Sequence, residues 1–199
     1  MSELATKERG AKFLARRRAV LRTAARVFSA RGYRQATLED VARALKVTRP
    51  ALYHYARSKD ELLHEAGSIA QAELDAALAA AAEAPCGRER LRDFFRRYAD
   101  LVCDDFGRCF VLVDHTEMAP QEARRSRAFQ AKLGKAVVAF IEAGNADGSL
   151  QVMAPSDLSR LLFAAFNGVP RWRRSDRAPS EVADAFLDLI ERAQARGLN

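Results

Sequence analysis

Nearly every segment of this chain repeats its apolar residues at intervals of three and four, and strand-like alternation is absent. Leu21, Ala24, Ala25 and Phe28 form one such stripe. Leu62, Leu63, Ala66, Ile69, Ala70 and Leu74 form a second, and Leu91, Phe94, Phe95, Tyr98, Leu101 and Val102 a third. That period places the apolar residues of each segment on one face of a helix. The fold class predicted is therefore all-α. Cap and breaker residues divide the helices. One helix is predicted from about Arg16 to Ala30, ending at Gly32, and residues 1–14 are read as a flexible basic arm. Thr37-Leu-Glu-Asp40 has the form of a capping box. It opens a short helix to Leu45, and Thr48 caps another that reaches about Tyr55. Ser58 caps a long helix that runs up to Pro85-Cys86-Gly87. A kink is expected around Gly107, between Phe106 and Phe110. Pro120 opens a helix to about Ala143, followed by a turn over Gly144-Asn145-Ala146-Asp147-Gly148. Helices from Ser156 to Val169 and from Ser180 to Arg196 complete the chain.

The 199 residues carry a net charge of +7, unevenly spread. Residues 1–60 hold 15 basic and 5 acidic side chains, and the remainder 18 and 21. Such a concentration favours a polyanion partner over a merely solvated face. Nucleic acid and acidic lipid both qualify on charge alone. No apolar run approaches the roughly 20 residues of a membrane helix. A membrane-surface protein would set its basic groups opposite a broad apolar face, whereas here they flank a short turn. Cys86, Cys103 and Cys109 include no CxxC, which suits a reducing cytoplasm. No secretory signal is evident. An enzyme is not expected: His54, His64 and His115 are scattered, and no HExxH, GxSxG or glycine-rich phosphate loop occurs. Cys103, Asp105 and Cys109 lack zinc spacing, and Asp114-His115-Thr-Glu117 reads as a polar helix-surface cluster. No metal or cofactor is predicted.

The two short helices at 37–45 and 48–55 meet at a tight turn in the most basic part of the chain, a helix-turn-helix pattern. The second is too short to be a pillar and presents Arg49, Tyr53, His54 and Tyr55 around a single anchor, Leu52. Spacing alone fits a generic αα-hairpin equally well. The residues go further. Thr37-Leu-Glu-Asp-Val-Ala-Arg-Ala-Leu-Lys-Val-Thr-Arg-Pro-Ala-Leu-Tyr-His-Tyr-Ala-Arg-Ser-Lys59-Asp-Glu-Leu closely resembles the DNA-binding domain of the tetracycline-repressor (TetR) family. The preceding Ala24-Ala-Arg-Val-Phe-Ser-Ala-Arg-Gly-Tyr33 resembles that family's first helix. The likeness spans roughly residues 15–64. It implies phosphate contacts from Thr37 and Lys59, and recognition-helix contacts from Thr48, Arg49, Pro50, Tyr53, His54 and Tyr55. Arg49 is the candidate for a bidentate guanine contact, and Lys7, Arg9, Lys12 and Arg16–Arg18 for minor-groove contacts, with a merely solubilising tail the equal alternative for the first three. The sequence departs from the family at Leu45-Lys46, where a small Ala-Gly pair is usual, and at Tyr55-Ala56, where histidine and a bulky apolar residue are usual.

The resemblance implies a three-helix DNA-binding domain over 15–60 and a larger helical ligand-binding and dimerisation domain over 61–199. It implies a homodimer through the last two helices. The stripes Leu158, Leu161, Leu162, Phe166, Val169 and Val182, Phe186, Leu189, Ile190, Ala193 suit that role, or an internal core. Candidate lining residues for an inducer pocket are Phe94, Phe95, Tyr98, Phe110, Phe129, Phe140, Phe163, Asn167 and Trp172. Ordinary core packing is the alternative for the aromatics. Phe166-Asn-Gly-Val-Pro-Arg-Trp172-Arg-Arg resembles the Asn…Arg-Trp segment of members that answer to acyl-CoA thioesters of lipid or sterol catabolism. Arg171, Arg173, Arg174 and Arg177 would then meet CoA phosphates, or form a solvated linker. The function expected is a ligand-responsive cytoplasmic repressor that binds a palindromic duplex operator as a dimer. Regulators of efflux or other metabolism, and basic membrane-surface or architectural DNA-binding proteins, are the alternatives.

Overall fold

A computed structural model describes residues 2–172 and 176–195, with the side chains of 10–172, 176–190 and 192. Arg173 and Arg174, and the side chains of Lys7, Arg9 and Ala193, lie outside that description. The described residues form nine α-helices: α1 (Ser2–Arg31), α2 (Leu38–Leu45), α3 (Arg49–Tyr53), α4 (Lys59–Ala82), α5 (Gly87–Cys103), α6 (Asp105–Leu112), α7 (Pro120–Asp147), α8 (Pro155–Trp172) and α9 (Pro179–Ala195). A single 3-10 turn, His115–Glu117, precedes α7. The fold is all-α.

Local signals placed most boundaries. Thr37, Thr48 and Ser58 cap α2, α3 and α4, each accepting from an amide of the first turn. Five boundaries differ from expectation. The break expected around Gly107 falls at Asp104, which is extended between α5 and α6, and Gly107 lies within α6. α1 continues back to Ser2 rather than starting near Arg16. Residues 2–15 are rich in Ala, Glu, Lys and Arg and hold no proline, so nothing interrupts the helix. α3 ends at Tyr53, leaving His54 and Tyr55 just beyond it. α7 runs through the expected turn at 144–147 and stops at Gly148, which takes the left-handed conformation (φ 75°). Gly144 is instead a packing site, since a Cβ on Gly87 would lie 2.1 Å from its amide nitrogen. α8 carries Pro170 within its last turn and reaches Trp172.

α5 is the central pillar and packs against α4, α6, α7, α8 and α9. Its Phe94, Phe95 and Tyr98 are buried and meet one another and α8 through aromatic contacts, closest between Phe95 and Phe166 (centroids 4.7 Å apart). Truncating such a phenylalanine costs about 3–5 kcal/mol. α1 packs on α2, α4 and α6. Buried side chains continue along α4 from Leu62 to Ala81, so the boundary placed at residue 60 falls in the first turn of a helix that serves both halves.

Candidate nucleic-acid interface and ligand cavity

α2 packs on α1 and on α3. Leu52 anchors α3 and is 1% exposed, while Tyr53 is 43% exposed and His54 is also exposed. Thr37, Thr48, Arg49 and Pro50 are exposed, and Tyr55 and Lys59 half-buried. Six of the eight expected reading residues are therefore exposed on the surface of residues 37–54, and Tyr55 and Lys59 less so.

That surface is organised by polar contacts. Thr37 accepts from the Asp40 amide (3.2 Å), and its own amide and hydroxyl donate to the Asp40 carboxylate (3.1 and 2.9 Å). Arg31 and Arg43 flank the same carboxylate at 2.6 and 3.1 Å. The Thr37 hydrogen bonds, then the two guanidiniums, hold the Asp40 carboxyl below the ordinary value. Its support for α2 is therefore complete above the unfolded carboxylate range, about 4, and is lost as pH falls through the lowered value. Arg49 donates to Glu39 (2.7 Å) and to the Tyr53 hydroxyl (3.1 Å), and its guanidinium lies over the Tyr53 ring. Tyr55 stacks on Phe13 of α1 (5.6 Å, 21°).

Lys46 sits in the α2–α3 turn with φ 57° and ψ 39°, the conformation that favours glycine. The strain is held by the Lys46 amide to Arg43 O (3.1 Å) and the Val47 amide to Ala42 O (3.0 Å). Lys46→Gly is expected to relieve about 1 kcal/mol of backbone strain. It should also reduce the salt slope of DNA binding by about one ion. Thermal unfolding and salt titration of DNA affinity read the two effects. An unchanged slope in the variant would remove Lys46 from the DNA surface.

Lys59 donates to Tyr33 O (3.0 Å) and Arg34 O (3.3 Å) and lies 4.5 Å above the Tyr33 ring. Two of its three N–H donors thus fasten the α1–α2 turn, and one is left for a phosphate. Tyr33 in turn donates to Asp60, and burial followed by that bond pushes its hydroxyl pKa far up. The expected basic arm is also partly committed elsewhere. Arg17 pairs with Glu65 (2.6 Å) and Arg18 with Glu73 (3.1 Å), both on α4. Arg22 pairs with Asp104 (2.6 Å), and Arg26 with Asp105 (3.3 Å), at the α5–α6 junction. Arg17 and Arg18 thus also act as struts between α1 and α4. Their partners lie 48 and 55 residues away, which no local pattern reveals.

A cavity of about 350 Å³ opens between α5, α7 and α8. Of the nine expected lining residues it gathers Tyr98, Phe163 and Asn167. Tyr98 donates to Asn167 Oδ1 (2.5 Å), and burial raises its pKa. Gln130, Leu133, Gly134, Ser159, Arg160 and Ala164, none of them among the expected residues, complete the wall. The available signal was the pairing of Gly134, which presents no side chain, with the 159/163/167 face of α8. Phe94 and Phe95 are fully buried core. Phe110 meets Phe129 edge-on beside a recess of only about 10 Å³. The Phe140 carbonyl packs against Gly87. Trp172, 59% exposed, lines a separate apolar recess of about 190 Å³ between α8 and α9, with Phe166, Val169, Val182 and Phe186.

His64 contacts Glu122 (2.9 Å) and His115 contacts Ser126 (2.9 Å), each pair tying its element to α7. Burial, then Arg127, lowers the His115 pKa. Among the described residues no three His, Cys, Asp or Glu side chains converge as a metal site. No described helix is long and apolar enough to cross a membrane.

A helix-turn-helix head mounted on a helical body with its own cavity defines a DNA-binding transcriptional regulator. Family models confirm the class. Residues 20–66 match bacterial regulatory proteins of the tetR family, and residues 85–193 match the tetracyclin repressor-like C-terminal domain. The chain belongs to the TetR family, whose members are transcriptional regulators and not enzymes. Among solved structures it is similar to the TetR family transcriptional regulator PfmR from Thermus thermophilus. That match has 29% identity and a TM-score of 0.76, over 87% of this chain and 97% of the other. The fold is also shared with the ketosteroid transcriptional regulator KstR2 of Mycobacterium tuberculosis (21% identity, TM-score 0.78, over 89% and 94%). A third similar structure is AibR in complex with isovaleryl coenzyme A and operator DNA (20%, TM-score 0.77, over 87% and 97%). No curated protein matches the sequence.

Proposed function

We propose that this chain is a cytoplasmic repressor that binds a roughly palindromic operator as a homodimer and is released by a small amphipathic ligand. The observation that carries the ligand half is the cavity between α5, α7 and α8, within the usual size of small-molecule sites. Its wall combines an apolar side, Leu133 and Phe163, with the amides of Gln130 and Asn167. Such a site suits an acyl or ring system carrying a carbonyl. An acyl-CoA thioester fits if the acyl group enters and the nucleotide stays outside. Asn167 lines the cavity and α8 runs on to the exposed Arg171, which supports that reading. KstR2 and AibR share the fold, and AibR is described as bound to isovaleryl coenzyme A and operator DNA. In the dimer, the exposed Leu161, Trp172 and Leu189 of α8 and α9 meet those of a second copy. Each protomer then offers one α3 to a major groove, with half-sites about 34–36 Å apart. Thr37 and Lys59 hold phosphates, Arg49 reads guanine, and Thr48, Pro50, Tyr53, His54 and Tyr55 shape the contact.

A ligand releases DNA only if it favours one spacing of the heads over another. The cavity does not touch α4, so the force passes through α5. Wedging α7 and α8 from α5 shifts the α5–α6 junction, where Asp104 and Asp105 hold Arg22 and Arg26 of α1. α4, packed on both α1 and α5 and about 36 Å long, carries the same displacement to the heads.

Gly134→Leu tests the site. A Cβ at Gly134 meets nothing within 4 Å, so leucine projects into the cavity without a clash. It also improves helix propensity by about 1 kcal/mol. The variant is expected to fold, to bind DNA as the wild type does, and to stay bound when acyl-CoAs of graded chain length are added. Release of the variant by the same ligands at the same concentrations would sink the cavity assignment. Footprinting the wild type with each acyl-CoA, and finding no release at any length, would retire the thioester.

A further inference from the structure

Glu39 stands on the face of α2 that the operator would approach, an odd place for a carboxylate among phosphates. Its Oε1 receives Nη1 of Arg49 at 2.7 Å, and Nη2 of the same guanidinium donates to the Tyr53 hydroxyl at 3.1 Å. Both acid and base are more than half exposed. A guanidinium has five N–H donors. One goes to Glu39 and one to Tyr53, so three remain, including one on each terminal nitrogen. That is enough for a bidentate contact with O6 and N7 of guanine. The pair therefore does not occlude Arg49; it fixes the plane and direction of its fork. A free arginine adapts to any phosphate, whereas a braced one accepts only a partner in the right place. The carboxylate also repels backbone phosphates when no base contact compensates.

We propose that Glu39 is a specificity-determining residue: it braces Arg49 for guanine and weakens binding to DNA that does not present one. The inference rests on the reading-head function given above. It concerns a residue of α2, outside the recognition helix.

The test is in vitro selection from a random duplex pool with the full-length wild type, Glu39→Gln, Arg49→Ala and the double variant, alongside affinities for the selected site and for random duplex. Glutamine keeps the shape and removes the charge. Glu39→Gln is expected to tighten binding to random duplex about threefold. Its ratio of selected to random affinity should fall about tenfold, and base choice should broaden at one position. In the Arg49→Ala background the same change should leave the base profile as it is, because nothing remains to brace. Thermal unfolding separates bracing from a folding defect, and should not move. If Glu39→Gln keeps the wild-type base profile, or shifts selected and random DNA by one common factor, the bracing role is wrong. The head itself is judged by the other two proteins: no enrichment by the wild type, or an unchanged profile in Arg49→Ala, overturns the reading head and the brace with it.

Discussion

Glutamate at both Leu161 and Leu189 is expected to turn the protein into a monomer and to lower its operator affinity by at least about a hundredfold. These leucines are 65% and 64% exposed, on helices whose other faces are core. Leu162, Phe166 and Val169 point inward to α5, so the apolar stripe of α8 has two sides with separate roles. The outer side, with Trp172 and the recess beside Phe186, forms an apolar surface of the kind that marks an association site. Burying a leucine contributes about 1.5–3 kcal/mol. In a symmetric dimer each substitution acts twice, and four carboxylates would face one another there. Loss of the dimer converts an intramolecular second half-site contact into a separate event, which is the source of the affinity drop. Sedimentation at micromolar concentration reads the assembly, and titration of a footprinted site reads the affinity. Retained dimers with full operator affinity would move the interface to another face.

What the sequence made legible followed the range of the interactions. Caps act within one turn, so Thr37, Thr48 and Ser58 announced α2, α3 and α4. The exposed Tyr53 and His54 and the anchor Leu52 were likewise readable from a single short helix. Contacts across the fold were not. Arg17 and Arg18 read only as groove-seeking cations because Glu65 and Glu73 reach them only through the packing of α1 on α4. Lys59 read as a pure phosphate ligand, yet its donors meet carbonyls of a turn whose position depends on that same packing. The aromatics show the same limit. Phe95 and Phe163 meet each other, but Phe163 also lines the cavity, with Gly134 on the same wall, whereas Phe95 is closed off by Phe166. Whether an aromatic face closes or leaves space is set by the volume of its partner.

Glycines carry the last of that hidden information, and Gly107 carries the most. α5 ends at Cys103, Asp104 is extended (φ −72°, ψ 159°), and α6 starts at once. Gly107 lies against the end of α5, where a Cβ would sit 2.0 Å from the Leu101 carbonyl oxygen and 3.1 Å from Val102 Cα. Backbone cannot move aside as a side-chain tip can, so any larger residue must push α6 away from α5. The displacement has two consequences. Phe106 and Phe110 leave the core, and Asp104, which both caps α6 and holds Arg22, loses its place. Gly107→Val is expected to cost about 3 kcal/mol or more. For a chain of this size that lowers the unfolding midpoint by about 6–12 °C. Gly134→Val, at a site with nothing within 4 Å, provides the control and should leave the midpoint near the wild type. Gly107→Ala adds the same Cβ and should also lower the midpoint, by less than valine; with the Arg22–Asp104 link strained, the ligand should alter its DNA affinity less than in the wild type. An unchanged midpoint in Gly107→Val would mean that the close crossing of α5 and α6 is not what holds α1 to the ligand-binding helices.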